Sequence, residues 1–275
     1  MIHEKDALYG GIGTRSTPVR IAVCAKHVPA GPLRLAPSSL RVDRGGDNEL
    51  NRRDRSAVEA ALRLRDAGIA TEVVLLSLGP ADAIVSLRDG LAMGADRGVL
   101  CADPRAAGSD LLATSRVLAA LVERERPTLT LFGQLASDSE GGVLPAAVAR
   151  RLDAPVLTQA TELAVRGLVA VIRRESESGA EQVKTELPCV VSVTDALAAR
   201  FPTFAEVKQA RTKMVDIVDL DQLGVPAELA GEAGSATIVA AATEAPRSRR
   251  QAVLVEDDGA APERIIEYLA ARSLV

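Results

Sequence analysis

The chain has 275 residues, 47% of them hydrophobic and 25% charged, with a formal net charge of −4. That balance suits a globular protein with a substantial core, and the absence of a basic stripe with interleaved aromatics excludes nucleic-acid recognition. No apolar run approaches the roughly 20 residues of a membrane-spanning helix, and Met1–Pro18 lacks the apolar stretch of a secretory signal, so residues 1–18 read as a disordered leader and the protein as cytoplasmic.

The first structured segment is Val19–Ala25 (VRIAVCA), a near-continuous apolar run of strand length, as expected of a strand buried on both faces. A Gly/Pro-rich segment, Lys26–Arg53, follows and is too long for a tight connection. Asp54–Ala67 then shows the apolar stripe of an amphipathic helix at Ala57, Val58, Ala61, Leu62 and Leu64. Thr71–Leu78 reads as a second buried strand, and Pro80 opens a helix that Gly94 closes. Arg97–Cys101 is a third strand. Ser109 is placed to cap a helix with Leu111, Leu112, Leu118 and Leu121 on one side. Thr128–Phe132 is a fourth strand, running into Gly133–Leu144 and a helix to Leu152.

This alternation predicts an α/β, doubly wound parallel sheet whose ligands bind beyond the carboxyl ends of the strands. After Pro155 the period changes. Thr158–Val165, Leu168–Glu175 and Glu181–Glu186 alternate apolar and polar residues around two Gly-containing turns, which predicts a small antiparallel hairpin unit. Cys189–Val193 is a further strand, and Asp195–Lys213 reads as a basic loop. The nucleotide-binding domain is expected to span 19–218. Residues 219–275, rich in Ala, Gly and Glu and ending in a helix at Pro262–Ala271, read as a C-terminal arm that packs on something else.

The candidate chemistry is sparse. Three cysteines (Cys24, Cys101, Cys189) lie in or beside apolar runs and read as reduced, buried thiols. His3 and His27 are the only histidines, too few for a zinc site or a His-based triad. Gly133–Leu144 follows a strand and precedes a helix, and its two central glycines let backbone approach a phosphate; the same segment also reads as an ordinary capped loop. Asn51 and Asp54 stand at a helix entrance, either as caps or as hydrogen-bonding partners of an adenine or ribose. His27 reads as a solvated or packed histidine. The residues supply no catalytic set, which points to a binding or carrier role.

The residues resemble those of a known family, the β subunits of electron transfer flavoproteins, including the nitrogen-fixation-associated type. The resemblance runs from about Val19 to Val225. Its strongest stretch is Ser77–Gly98, with SLGP followed by LAMGADRG, supported by Ala25-Lys26-His27-Val28, Asn51–Arg63, Gly133 and Leu187–Val193 (LPCVVSV).

The resemblance implies an adenine-nucleotide alpha-hydrolase-like domain paired with an α subunit that carries the redox FAD. AMP, or a second FAD, is expected in the β-subunit site. Carried over by position, that site is lined by Cys24, Asn51, Arg53, Asp54 and Leu78, with Gly133, Ser137, Asp138, Gly141, Gly142, Val143 and Leu144 at the phosphates. A partner-recognition loop falls on Arg200–Val207, with Arg200, Phe201, Thr203 and Phe204 as docking residues for a dehydrogenase. The arm is expected to pack on the α subunit.

Two departures stand out. Gly142-Val143-Leu144 removes the family's Gln and Thr/Val donors. Arg53 replaces an aromatic residue near the partner's flavin, where a cation favours the more negatively charged, reduced form. The implied function is electron transfer from a dehydrogenase to a downstream acceptor, without catalytic residues in this chain. The alternative is a nucleotide-binding sensor resembling universal stress proteins, but those have a Gly-rich ATP loop and no long arm. An adenine-nucleotide hydrolase would need an early S-G-G-x-D-like loop, and the chain has none.

Overall fold

The computed structural model describes residues 19–37, 39–242 and 258–275. The expected leader at 1–18 and the apolar run Ala252–Val255 lie outside the described residues. The chain divides after Ala240 into two units.

In the first unit β1 (Val19–Cys24) leads into a hairpin of β2 (His27–Pro29) and β3 (Asn48–Leu50), then α1 (Arg52–Asp66). Next come β4 (Ala70–Leu78), α2 (Ile84–Met93), β5 (Arg97–Cys101), α3 (Leu111–Glu125), β6 (Leu129–Gly133) and α4 (Leu144–Arg151). The remainder holds β7 (Val156–Ala160), β8 (Glu162–Arg166), β9 (Val169–Ser176), β10 (Gly179–Glu186), β11 (Cys189–Val193), α5 (Phe204–Ala210) and β12 (Val215–Val218). In the second unit α6 spans Ala261–Ala270.

Seven strands form one sheet in the order β12-β5-β4-β1-β6-β11-β7, and every neighbouring pair is parallel. Alternate residues of the central strands feed two separate cores. Ile21, Val23, Val73 and Leu75 pack with α1 and α2. Ala22, Cys24, Val74 and Leu76 pack with α3 and α4 on the opposite face. A strand buried on both faces needs apolar residues at every position, which is why these runs do not alternate. The chain proceeds from β1 through β4 to β5 in one direction, then returns to place β6 on the other side of β1. The winding reverses there, so the carboxyl ends of β1 and β6 flank the crevice where such sheets bind ligands. The architecture is the doubly wound α/β fold that the alternation implied, with β8, β9 and β10 as a small antiparallel sheet.

Several elements differ from expectation. The segment 26–53, too long for a tight connection, carries the β2–β3 hairpin, paired from His27↔Leu50 to Pro29↔Asn48. Asp110, not Ser109, caps α3 by accepting from the N–H of Ala113. Ser109 instead donates to the Ala106 carbonyl. Leu111 and Leu112 are exposed, so the buried side of α3 begins at Ala113. The expected strand 158–165 is split after a left-handed Gln159, whose φ is 61°; residues up to Ala160 join the parallel sheet and those from Glu162 the antiparallel one. The expected loop 195–213 contains α5, and β12 forms an edge of the main sheet. Leu220, Val225 and Ala230 are buried in the core shared with α3 and α4, so the chain just after 219 packs on its own domain.

Cys24, Cys101 and Cys189 are free and buried. Among the described residues no helix is long and apolar enough to cross a membrane.

Candidate functional site

The site is framed by the first turn of α1, which lies over the carboxyl ends of β1 and β6. Asp54 accepts hydrogen bonds from the backbone N–H of Lys26 (2.7 Å), just past β1, and of Gly133 (3.1 Å), the last residue of β6. Asn51 stands at the N-cap position of α1, yet its side chain makes no cap hydrogen bond. Its amide is used on the loop after β6: Nδ2 donates to the Leu135 carbonyl (3.0 Å) and Oδ1 accepts from the Ser137 N–H (3.2 Å). Both side chains are buried, and together they fasten the loop after β6 to the helix.

Burial raises the Asp54 carboxyl to about 7, although the N–H groups of Lys26 and Gly133 and the Asn51 side chain pull the other way. Gly133 is required by space. A Cβ there would lie 2.4 Å from Asp54 Oδ1 and 2.6 Å from the Arg53 carbonyl carbon.

The loop itself is built around Asp138. Its carboxylate is buried, accepts from Lys26 Nζ at 2.6 Å, and is also paired with Arg44. Around it Ser137, Gly141, Gly142 and Val143 are exposed, while Leu144 begins α4 half-buried. Gly142 has φ 63°, the left-handed conformation that glycine adopts without cost. Val143, at the N-cap position of α4, supplies no side-chain cap, and the first turn holds no acidic residue. The helix therefore presents uncapped N–H groups, Pro145 having none, at the end of the same loop whose Asp138 is shared by Lys26 and Arg44. This arrangement attracts an anion and favours a phosphate approached by backbone.

Cys24 closes β1 and Leu78 closes β4, the strand beside it; Cys24 is buried and Leu78 half-buried. Burial, with the neighbouring charge of Asp54, pushes the Cys24 thiol well above its ordinary value, which leaves it a packing residue rather than a nucleophile. Arg53 is half-buried, with Nη2 3.9 Å from Asp195 Oδ2 and a buried Nε that finds no acceptor. His27 is packed: Nδ1 shares a 2.7 Å hydrogen bond with Ser86 Oγ, and burial together with Arg44 lowers its pKa.

Lys26 and Arg44 are the residues that reasoning from sequence left out of the binding set. Lys26 carried a signal, because it directly follows a strand at the ligand-bearing edge. Arg44 carried none, since it lies 94 positions from Asp138.

The expected docking residues lie elsewhere, after β11. Phe201 and Phe204 are 96% and 86% exposed. Thr203 caps α5 and forms a capping box with Glu206. Arg200 is bound to Glu59 and Asp66 of α1.

The model of the electron transfer flavoprotein domain matches residues 39–223. The electron transfer flavoprotein subunit beta of Mycobacterium tuberculosis is 32% identical over 264 residues, covering 93% of this chain and 99% of the relative. That of Megasphaera elsdenii is 34% identical over 272 residues, covering 94% and 100%. Subunit CarD of the caffeyl-CoA reductase–Etf complex of Acetobacterium woodii is 32% identical over 225 residues, covering 80% and 86%.

Proposed function

The chain belongs to the electron transfer flavoprotein family, and from that premise we propose how its residues divide the work of a β subunit. As such a subunit it serves electron transfer, in association with flavin and with an α subunit. In the proposed arrangement the α subunit carries the redox FAD, while the crevice between β1 and β6 takes an adenine nucleotide, AMP or a second FAD. The nucleotide's phosphates meet the backbone of residues 141–144 and the first turn of α4. Asn51 and Asp54 act through the loop, because their side-chain atoms are already committed to it. Lys26 and Arg44 supply positive charge. The lost Gln and Thr/Val side-chain donors are replaced by N–H groups, which the uncapped helix leaves free.

FAD, when bound, takes up and releases the electrons. Arg53 sets the charge beside it, and the loop 200–207 presents Phe201 and Phe204 to a dehydrogenase. Exposed Lys208 and Arg211 follow Phe204 by four and seven residues, on the same face of α5, so the matching partner surface is an apolar pocket with an acidic rim. This chain makes and breaks no bonds itself, and we place it in the cytoplasm. The residues beyond 240, including α6 with exposed Ile265 and Ile266, are read as the arm that packs on the α subunit.

The single observation that carries this reading is the loop after β6 at the switch point, fastened to α1 by Asn51 and Asp54 and drawing Lys26 and Arg44 onto its Asp138. Co-expression with an α subunit, followed by release and identification of bound nucleotides, tests it. FAD with AMP, or two FAD, supports the occupied crevice. FAD alone removes the nucleotide from this chain, and a catalytically competent isolated chain overturns the carrier role.

A further inference from the structure

The helix that frames the nucleotide crevice also holds the docking loop, through a separate set of contacts farther along its length. Ser56 Oγ donates to the Leu197 carbonyl (2.9 Å), and Arg63 Nη2 donates to the Ala198 carbonyl (3.4 Å). Glu59 accepts from Arg200 three times, from the backbone N–H (3.3 Å), from Nε (2.7 Å) and from Nη2 (3.4 Å). Arg200 Nη2 continues to Asp66 (2.8 Å). Positions 56, 59, 63 and 66 are spaced by three and four, so they form one stripe along α1. The stripe fastens residues 197–200, and the next residue is Phe201.

Glu59 is the centre of this clamp. It is 4% exposed, and its second oxygen accepts from Arg63 Nε at 2.8 Å. Burial alone would raise its pKa, but the hydrogen bonds from Arg200 and Arg63 outweigh it and hold the carboxyl below the ordinary value. A buried ion pair is a poor way to gain stability, since an apolar pair of the same volume does as well or better. What it supplies here is a fixed direction for the chain. The far side of the loop is braced as well. Ala210 of α5 is buried, Arg88 of α2 donates to its carbonyl (2.7 Å), and Lys213 Nζ donates to the Leu91 and Ala95 carbonyls. Between the two braces Phe201 and Phe204 stand exposed with their backbone held.

We propose that Glu59 is a positioning residue for docking: through Arg200 it holds the loop in the form in which both phenyl groups meet the partner, so association need not order the loop. The inference rests on reading residues 200–207 as the docking loop. A preordered loop lowers the cost of binding and leaves the transfer step untouched, so its loss appears in the concentration dependence of the reaction.

The test uses the αβ heterodimer and a flavin-dependent dehydrogenase that reduces the wild-type protein. Four preparations are compared: wild type, Glu59→Gln, Arg200→Lys and Phe204→Ala. Glu59→Gln is expected to raise KM for the heterodimer about tenfold with kcat unchanged, and to speed amide hydrogen exchange in residues 198–204. Arg200→Lys keeps one charged contact and is expected to lie between wild type and Glu59→Gln. The potential from dithionite titration is expected to stay constant in both. If Phe204→Ala raises KM while Glu59→Gln and Arg200→Lys leave it unchanged, the clamp has no role in docking although the docking loop stands. If none of the three moves KM, the reading of the loop itself fails. If kcat or the potential changes along with KM, Glu59 is acting on the flavin site and the proposal is wrong. Should Glu59→Gln fail to assemble, Arg200→Lys decides the question on the same readouts.

Discussion

Gly133→Ala tests the frame of the crevice between β1 and β6 most directly. The added methyl would sit 2.4 Å from Asp54 Oδ1, 2.6 Å from the Arg53 carbonyl carbon and 2.7 Å from the Asp54 backbone nitrogen. Two of those atoms belong to the backbone of the first helical turn, so no rotamer change relieves the overlap. The loop after β6 has to move off α1, which costs about 1–3 kcal/mol as overpacking. The hydrogen bond from the Gly133 N–H to the Asp54 carboxyl is strained or lost in the same movement, at roughly 1.5–3 kcal/mol above pH 7, where the acceptor is charged. The two costs overlap because one displacement causes both, and a total near 3 kcal/mol follows.

For a domain of this size each kcal/mol lowers Tm by about 2–4 °C, so a fall of about 6–12 °C is expected. The same loop supplies the control. A Cβ at Gly141 meets nothing within 4 Å, and Gly141→Ala should stay within about 0.5 kcal/mol of wild type. Thermal denaturation of the two heterodimers, with nucleotide content measured after gel filtration, reads both effects. Gly133→Ala should lose nucleotide as well as stability. A Gly133→Ala protein melting within about 2 °C of wild type, or a Gly141→Ala protein falling as far, would refute the close-approach argument.

Three further predictions concern charge. Asp54 has a folded pKa of about 7 against an ordinary value of 3.8, so between those values the folded chain keeps a proton that the unfolded chain has released. Stability therefore falls as pH rises from about 4 to 7 and is level above, with a slope of up to about 1.4 kcal/mol per pH unit. Asp54→Asn should abolish that slope in urea denaturation between pH 5 and 8, and an unchanged slope assigns it to another group. Asp138→Asn leaves Lys26 and Arg44 facing each other without their shared carboxylate; because both cations are partly exposed, the loss should be only about 1–2 kcal/mol, read as a lower Tm that added salt partly restores. Arg53→Phe should make the flavin potential of the heterodimer more negative, by about 60 mV per electron for a tenfold electrostatic effect; an unmoved spectroelectrochemical midpoint removes Arg53 from the flavin's surroundings.

The parallel core was legible because its physics is local. A strand covered on both faces must be apolar throughout, and VRIAVC and TEVVLLSL can be read as such without any neighbour. The edges were not. β12 is a four-residue strand with Ile217 exposed, so neither length nor periodicity marks it. The break at Gln159 depends on a left-handed backbone that glycine or asparagine would have signalled and glutamine does not. The start of α5 was legible and passed over: Thr203 followed by Glu206 has the spacing of a capping box, which opens a helix inside the stretch expected as loop. At the crevice, Asn51 and Asp54 were visible as polar residues at a helix entrance. That they bind the loop after β6 rather than cap their own helix depends on contacts spanning 79 to 86 positions.

On the proposed reading the chain has one demanding task, which is to keep the crevice and the docking loop in a fixed relation, and α1 is the element that does so. Asp54 in its first turn holds the end of β6, and Glu59 and Asp66 along its length hold Arg200. At 1.5 Å per residue these attachment points lie roughly 8–18 Å apart on one hydrogen-bonded rod. Most of the buried face between them (Ala57, Val58, Ala61, Leu62, Leu64) is seated in the sheet's core, so the rod cannot roll without opening that core. A partner held at Phe201 and Phe204 is thereby held at a set distance from the crevice. On the proposed reading, substitutions in the loop change how tightly the partner binds, and substitutions in the first turn change what the crevice holds. Only damage to the helix between them should change both.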